Sequence, residues 1–125
     1  MTMSSCIEKE IKFEELCNLL KTSKITLLDV RTFQELTDVG LIPGSMNIPL
    51  AELENAFHLS PDEFQNKYGF LQPSKNDESI VITCRSGRRA KEGVEKMEKL
   101  GYNKVRCYCG SFLEWKEKGR KVVFP

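Results

Sequence analysis

Apolar positions recur along this chain in two alternating rhythms. Phe13, Leu16, Cys17 and Leu20 stand at i, i+3, i+4 and i+7, so residues 13–21 predict a helix with one packed face. An unbroken apolar run from Ile25 to Val30 follows, with the character of a strand buried on both faces. Thr32 with Glu35 three residues on makes a capping box and opens a short helix. Gly40 to Pro49 reads as an irregular turn into a short strand around Met46 to Ile48, and Leu50, Leu53 and Phe57 mark another helix. Ser60-Pro61-Asp62-Glu63 then combines an N-cap, a proline at the first helical position and a capping glutamate. That helix carries Phe64 and Tyr68 and stops at Gly69.

After a polar connection from Pro73 to Glu78, Ser79 to Thr83 is a second β-branched run. Ala90, Val94, Met97 and Leu100 form a helical stripe with Glu92/Lys96 and Glu95/Lys99 pairs outside it, and Gly101 ends it. Lys104 to Cys109 predicts a further strand. Ser111 with Glu114 predicts the cap of a last helix that buries Phe112 and Trp115 and ends at Gly119. Ile11 and Val122 to Phe124 are expected to add short strand segments. Strands alternating with helices predict an α/β fold, a mostly parallel sheet of five strands flanked by helices on both faces. With no repeat, low-complexity tract or boundary, residues 1–125 are expected to form a single domain, flexible over 1–9.

Composition changes this picture mainly by exclusion. A chain of 125 residues, 40% hydrophobic and 30% charged, can bury a core unaided. Its net charge of +1 gives no general basic footprint for nucleic acid or an anionic membrane. No stretch approaches the ~18 apolar residues of a membrane span. Five cysteines, an odd number without framework spacing, point to a reducing intracellular compartment. The first residues carry neither the apolar core of a signal peptide nor the arginines of a transit peptide, which favours the cytoplasm and leaves a mitochondrial location open. Cys107-x-Cys109 with the single histidine, His58, falls short of a zinc set, so no metal and no cofactor is expected.

The candidate chemistry lies in Cys84-Arg85-Ser86-Gly87-Arg88-Arg89-Ala90, where a buried strand breaks into a polar loop and a helix follows from Arg89 or Ala90. Such a loop aims successive backbone N–H groups inward, and the helix dipole adds partial positive charge. A cysteine at its mouth is expected to favour the thiolate, with a pKa of roughly 3.5–7.5. An inert core cysteine followed by a solvated basic helix start is the plain alternative. It explains poorly why three arginines crowd the end of a helix that disfavours cations, a placement that a bound anion would compensate.

This loop resembles the active-site loop of the rhodanese (thiosulfate sulfurtransferase) family, commonly Cys-Arg-x-Gly-x-Arg and a small residue. Three more segments match in order. Asp29-Val30-Arg31 with Glu35 resembles the Asp-x-Arg-x-x-x-Glu signature, and Gly40 to Pro49 resembles Gly-x-Ile-Pro-Gly-Ala-x-Asn-Ile-Pro. Gly101-Tyr102 to Gly110-Ser111-Phe112-Leu113-Glu114-Trp115 resembles the closing Gly-Tyr…Gly-Gly-x-x-x-Trp segment. The matches cover about residues 11–119, and the Ser60-to-Pro73 insert resembles the small single-domain eukaryotic members. Two positions depart from the pattern: Leu41 stands for the usual histidine, and Ser111 for the second glycine of the closing pair.

The resemblance implies a rhodanese-like domain whose Cys84 takes the outer sulfur of thiosulfate as a persulfide and passes it to a thiol acceptor, such as glutathione or thioredoxin, or to cyanide. Arg85, Ser86, Gly87, Arg88 and Arg89 would bind the donor, Arg89 otherwise bracing the loop against Asp29 or Glu35. Asp29, Arg31 and Glu35 would support the loop, Asp29 equally as a structural salt bridge. The helix that opens at Ser60 and stops at Gly69 is expected to pack beside the loop, His58 to lie on the surface, and Trp115 to anchor packing. A monomer is expected. A phosphatase would need five residues between cysteine and arginine; here four separate Cys84 from Arg89. A non-catalytic binding module or a persulfide carrier for a protein partner is the other rival. Cys109, expected on the same sheet rim as Cys84, is a candidate redox partner, against the plainer reading of a packing residue.

Overall fold

The computed structural model describes residues 9–125. The expectation of a flexible start over residues 1–9 therefore falls, but for Lys9, outside the described residues. Four parallel strands, in the order β2-β1-β3-β4, form the sheet: β1 Thr26–Asp29, β2 Met46–Asn47, β3 Ile80–Thr83 and β4 Arg106–Cys107. Six α-helices among the described residues accompany them: α1 Phe13–Lys21, α2 Phe33–Val39, α3 Leu53–Ala56, α4 Pro61–Tyr68, α5 Arg88–Lys99 and α6 Ser111–Glu117. Both capping boxes form as the sequence predicts, Thr32 with Glu35 and Ser60 with Glu63.

Strand alternation divides the interior into two layers. Leu28, Val30, Ile80, Ile82 and Cys84 face one side, packed with Leu53, Phe64, Ala90, Val94 and Met97 of α3, α4 and α5. Leu27 and Val81 face the other, packed with Leu16, Phe112 and Trp115 of α1 and α6. Each fully buried aliphatic side chain contributes about 1.5–3 kcal/mol over leaving it exposed, so the two layers fix the strand register firmly. With all strands parallel, the C-terminal ends of β1 and β3, Asp29 and Thr83, lie side by side on one rim. That rim is where open α/β sheets place their sites.

Three expectations need correction. The sheet has four strands among the described residues, not five. Glu10 does meet Cys107, through bonds from Ile11 N–H to the Cys107 carbonyl at 2.8 Å and from Cys107 N–H to the Lys9 carbonyl at 2.9 Å. The pairing stops there because the chain turns at once into α1, whose N-cap is Lys12. Val123 likewise pairs with Leu41 by one antiparallel bridge. Second, the strand expected from Lys104 to Cys109 is only Arg106–Cys107, since the chain turns at Asn103–Lys104 and again at Cys109–Gly110. Third, α4, expected beside the loop, makes its aromatic contacts elsewhere. Phe64 stacks with Phe57, Tyr68 and Phe70, and Phe57 meets Tyr102, which lies beyond the C-terminal end of α5. Through Phe57 and Tyr102, α4 therefore braces the end of α5 that is remote from Cys84.

Candidate active site

Immediately after β3, Cys84 leaves the sheet with its side chain in the α5 layer, and it is only 1% exposed. Its sulfur lies on the floor of the loop, not at its mouth; the exposed residues above it are Arg85, Ser86 and Arg88. Gly87 takes φ 105°, which returns the chain over the sulfur and starts α5 at Arg88. Two backbone N–H groups consequently point at Sγ, from Gly87 at 3.0 Å and Ala90 at 3.3 Å. The N–H groups of Arg85, Ser86, Arg88 and Arg89 make no hydrogen bond within the described residues. The start of α5 has no side-chain cap and no acidic residue in its first turn. Such a helix end is stabilised by an anion.

The three arginines are not equivalent. Arg89 turns aside and makes a two-pronged ion pair with Glu35, Nη1 to Oε1 at 2.7 Å and Nη2 to Oε2 at 2.9 Å. Hydrogen bonding from Arg89 is the main reason the Glu35 carboxyl is held down at about 2, with Thr32 N–H adding to it against the effect of burial. Glu35 thus closes the capping box of α2 and fastens the loop with the same carboxylate. Arg85 and Arg88 are exposed and have no ion-pair partner among the described residues. Of the two braces that the sequence allowed for Arg89, the structure shows Glu35.

Asp29 and Arg31 pair with each other instead. Arg31 Nη2 donates to Asp29 Oδ2 at 2.7 Å and to the Gly40 carbonyl at 3.0 Å, both side chains being buried. The Arg31 guanidinium also lies 4.3 Å over the Phe112 ring. The pair joins β1, the turn after α2 and the first turn of α6 beneath the loop.

The closing segment supplies what local sequence rules missed. Ser111 does not cap α6: the N-cap is Gly110 without a side-chain bond, and Glu114 accepts the Tyr108 hydroxyl at 2.7 Å. Burial, and then that acceptor, push the Tyr108 phenol up, so it remains a neutral donor. The Ser111 hydroxyl accepts the Cys84 N–H at 3.1 Å, a contact spanning 27 residues that a local capping rule cannot register. The N–H groups of Phe112 and Leu113 donate to the Cys84 and Arg85 carbonyls, each at 3.0 Å. The only signal for this in the sequence was a serine where the family pattern has glycine.

Cys107 and Cys109 both belong to the Cys84 layer, Cys107 fully buried and Cys109 half-buried. A Cβ built on Gly87 would lie 2.4 Å from the Cys109 carbonyl oxygen, so the Cys109 backbone forms one wall of the loop. His58 is exposed, and Trp115 is packed, its indole donating to the Lys121 carbonyl at 2.7 Å. No three His, Cys, Asp or Glu side chains among the described residues gather as a metal site. A hollow of ≈ 390 Å³ beside the loop is lined by Val30, Thr32, Pro49, Leu50 and Arg89, among others. A cleft of ≈ 870 Å³ lies beside Ile25, at the opposite end of β1 from the loop, and shares no residue with the loop.

The chain is similar to known proteins in both sequence and fold. Residues 12–118 match the family model of the rhodanese-like domain. The chain is 38% identical over 108 residues to the thiosulfate:glutathione sulfurtransferase of Homo sapiens, covering 86% of this chain and 93% of that one. It is 38% identical over 122 residues to a putative mitochondrial thiosulfate sulfurtransferase of Schizosaccharomyces pombe, covering 92% of this chain and 84% of that one. Among solved structures, the human single-domain sulfurtransferase TSTD1 superposes with a TM-score of 0.84 at 37% identity, covering 88% of this chain and 96% of that one.

Proposed function

Because this chain belongs to the rhodanese-like domain family, we propose that it is a thiosulfate sulfurtransferase that works through a persulfide on Cys84. The observation that carries the reading is the loop itself. A sulfur that receives two backbone N–H groups sits beneath four N–H groups and two arginines that have no partner among the described residues. In the first step the Cys84 thiolate attacks the outer sulfur of thiosulfate. A new S–S bond forms, the S–S bond of thiosulfate breaks, and sulfite leaves with the electron pair. The loop N–H groups meet the charge on the resulting persulfide as an oxyanion hole would. In the second step a thiolate acceptor attacks the outer sulfur and Cys84 leaves as thiolate. No general base is assigned, since both nucleophiles react as anions.

The name of the human relative, thiosulfate:glutathione sulfurtransferase, supports thiosulfate as donor and a glutathione-like thiol as acceptor. Arg85 and Arg88 grip the donor's oxyanion, while Arg89 is committed to Glu35. That commitment also argues against a phosphatase, which would need this arginine turned into the loop. A free Cys84 thiol suits a reducing compartment. Cytosol and mitochondrial matrix both provide one, and subcellular fractionation decides between them.

Incubation with thiosulfate followed by peptide mass mapping tests the proposal. One added sulfur is expected on Cys84, with none gained by Cys84→Ser at any position. Wild type that gains no sulfur, or a serine variant that gains it equally, overturns the reading.

A further inference from the structure

We propose that Ser111 is a positioning residue for Cys84. Its buried hydroxyl fixes the Cys84 backbone and supplies a further hydrogen-bond donor to the sulfur when that atom carries negative charge. This rests on the reading of Cys84 as the sulfur-accepting nucleophile. Ser111 is 0% exposed and has φ 57°, a left-handed conformation in which a side chain is disfavoured and glycine is at ease. A glycine would serve the backbone there without strain. What the serine adds is one oxygen, placed 3.1 Å from Cys84 N, 2.8 Å from the Tyr108 carbonyl oxygen and 3.8 Å from Cys84 Sγ.

A hydroxyl accepts through its lone pairs but has one proton to give. Its acceptor side takes the Cys84 N–H, which would otherwise be a buried donor without a partner. Its proton faces a choice between the Tyr108 carbonyl and the sulfur. Beside a neutral thiol the carbonyl is the closer and better acceptor. Beside a thiolate or persulfide anion the balance moves, because hydrogen bonds to an ionised acceptor are about twice as strong. Rotation about the Cβ–Oγ bond is enough to redirect the proton. Gly87 and Ala90 already aim their N–H groups at Sγ, so Ser111 becomes the third donor, arriving from α6 on the other side of the sheet. It breaks and forms no covalent bond. Its effect falls on the states in which sulfur is charged, before attack on the donor and at departure from the persulfide.

The test compares Ser111→Gly and Ser111→Ala with the full wild-type chain. The glycine variant relieves the left-handed conformation and is expected to fold, while the alanine variant keeps the Cβ and loses only the hydroxyl. Alkylation of Cys84 by iodoacetamide at neutral pH, followed by peptide mapping, is expected to slow about threefold to tenfold in both, the size of one hydrogen bond. The kcat for sulfur transfer should fall by a similar factor, with KM for thiosulfate changed by less than about twofold. Wild-type alkylation and kcat in Ser111→Gly would overturn the inference. So would a loss in the glycine variant that alanine does not share, which assigns the effect to the backbone, or a change confined to KM. Should Ser111→Ala fail to fold, Ser111→Gly decides alone. If wild type forms no persulfide, the sulfur-transfer reading fails while the alkylation comparison still decides Ser111.

Discussion

Arg85, Arg88 and Arg89 occupy one loop, and their surroundings give them different work. Arg89 is about one-third exposed and tied by two bonds to Glu35, whereas Arg85 and Arg88 project from the rim without a carboxylate partner among the described residues. Exposed side chains of that kind add little to packing, so their removal should leave the fold intact. A charge-assisted hydrogen bond contributes about 1.5–3 kcal/mol, which is roughly tenfold to a hundredfold in affinity. Arg85→Ala and Arg88→Ala are each expected to raise KM for thiosulfate by about tenfold or more, with unchanged circular dichroism. Wild-type kinetics in both variants would remove the guanidinium clamp from the mechanism. The identity of these residues was plain in the sequence. Arg89 was also legible as a possible brace, but its partner stayed open between Asp29 and Glu35, because Glu35 lies 54 positions away and only the parallel register of β1 and β3 brings the two together.

At the scale of elements, the site is a strand, a tight loop and a helix start, closed from the far side of the sheet by the first turn of α6. Periodicity and turn chemistry made the strand, the loop and α5 legible, since each depends on neighbours within a few residues. The role of α6 was illegible for the same reason. Its N–H groups and Ser111 act on Cys84 and Arg85, so a capping rule that looks three residues ahead assigned Ser111 the wrong partner. The fifth strand failed differently: the residues pair where expected, but α1 begins too soon for a ladder to grow. Gly87 is the element-scale weak point. With φ 105° and the Cys109 carbonyl 2.4 Å from where a Cβ would stand, the clash falls on backbone that cannot rotate away. Gly87→Ala should therefore cost about 2–4 kcal/mol through strain and displaced loop, more than an ordinary surface change. It should also abolish persulfide formation. Chemical denaturation with a midpoint equal to wild type would show that the loop is not held as tightly as its geometry indicates.

Across the whole molecule the two interior layers carry the fold, and the ion pairs around the site join elements that those layers leave adjacent but unlinked. Glu35–Arg89 ties α2 to α5, and the tie has a definite pH signature. The Glu35 carboxyl is held at about 2 in the folded chain, against an ordinary value of 4.5, chiefly by the hydrogen bonds from Arg89. A depressed carboxyl stabilises the folded state fully above its ordinary value, and that stabilisation is lost as pH falls toward the folded value. The window is therefore pH 4.5 down to about 2. Both side chains are about one-third exposed, so solvent screening limits the pair to about 1 kcal/mol. Urea denaturation of wild type and Glu35→Gln across this range checks the assignment. At pH 6 the variant should be less stable by about 1 kcal/mol, and the difference should shrink toward zero at the acid end of the window. Because Arg89 stays charged throughout, the whole change belongs to the carboxyl. Loss of the tie also releases the loop that Arg89 anchors. Glu35→Gln at neutral pH should accordingly lower the rate of sulfur loading on Cys84 while the secondary structure persists. Stability curves that run parallel from pH 6 to pH 2 would show that the carboxyl contributes nothing to the fold.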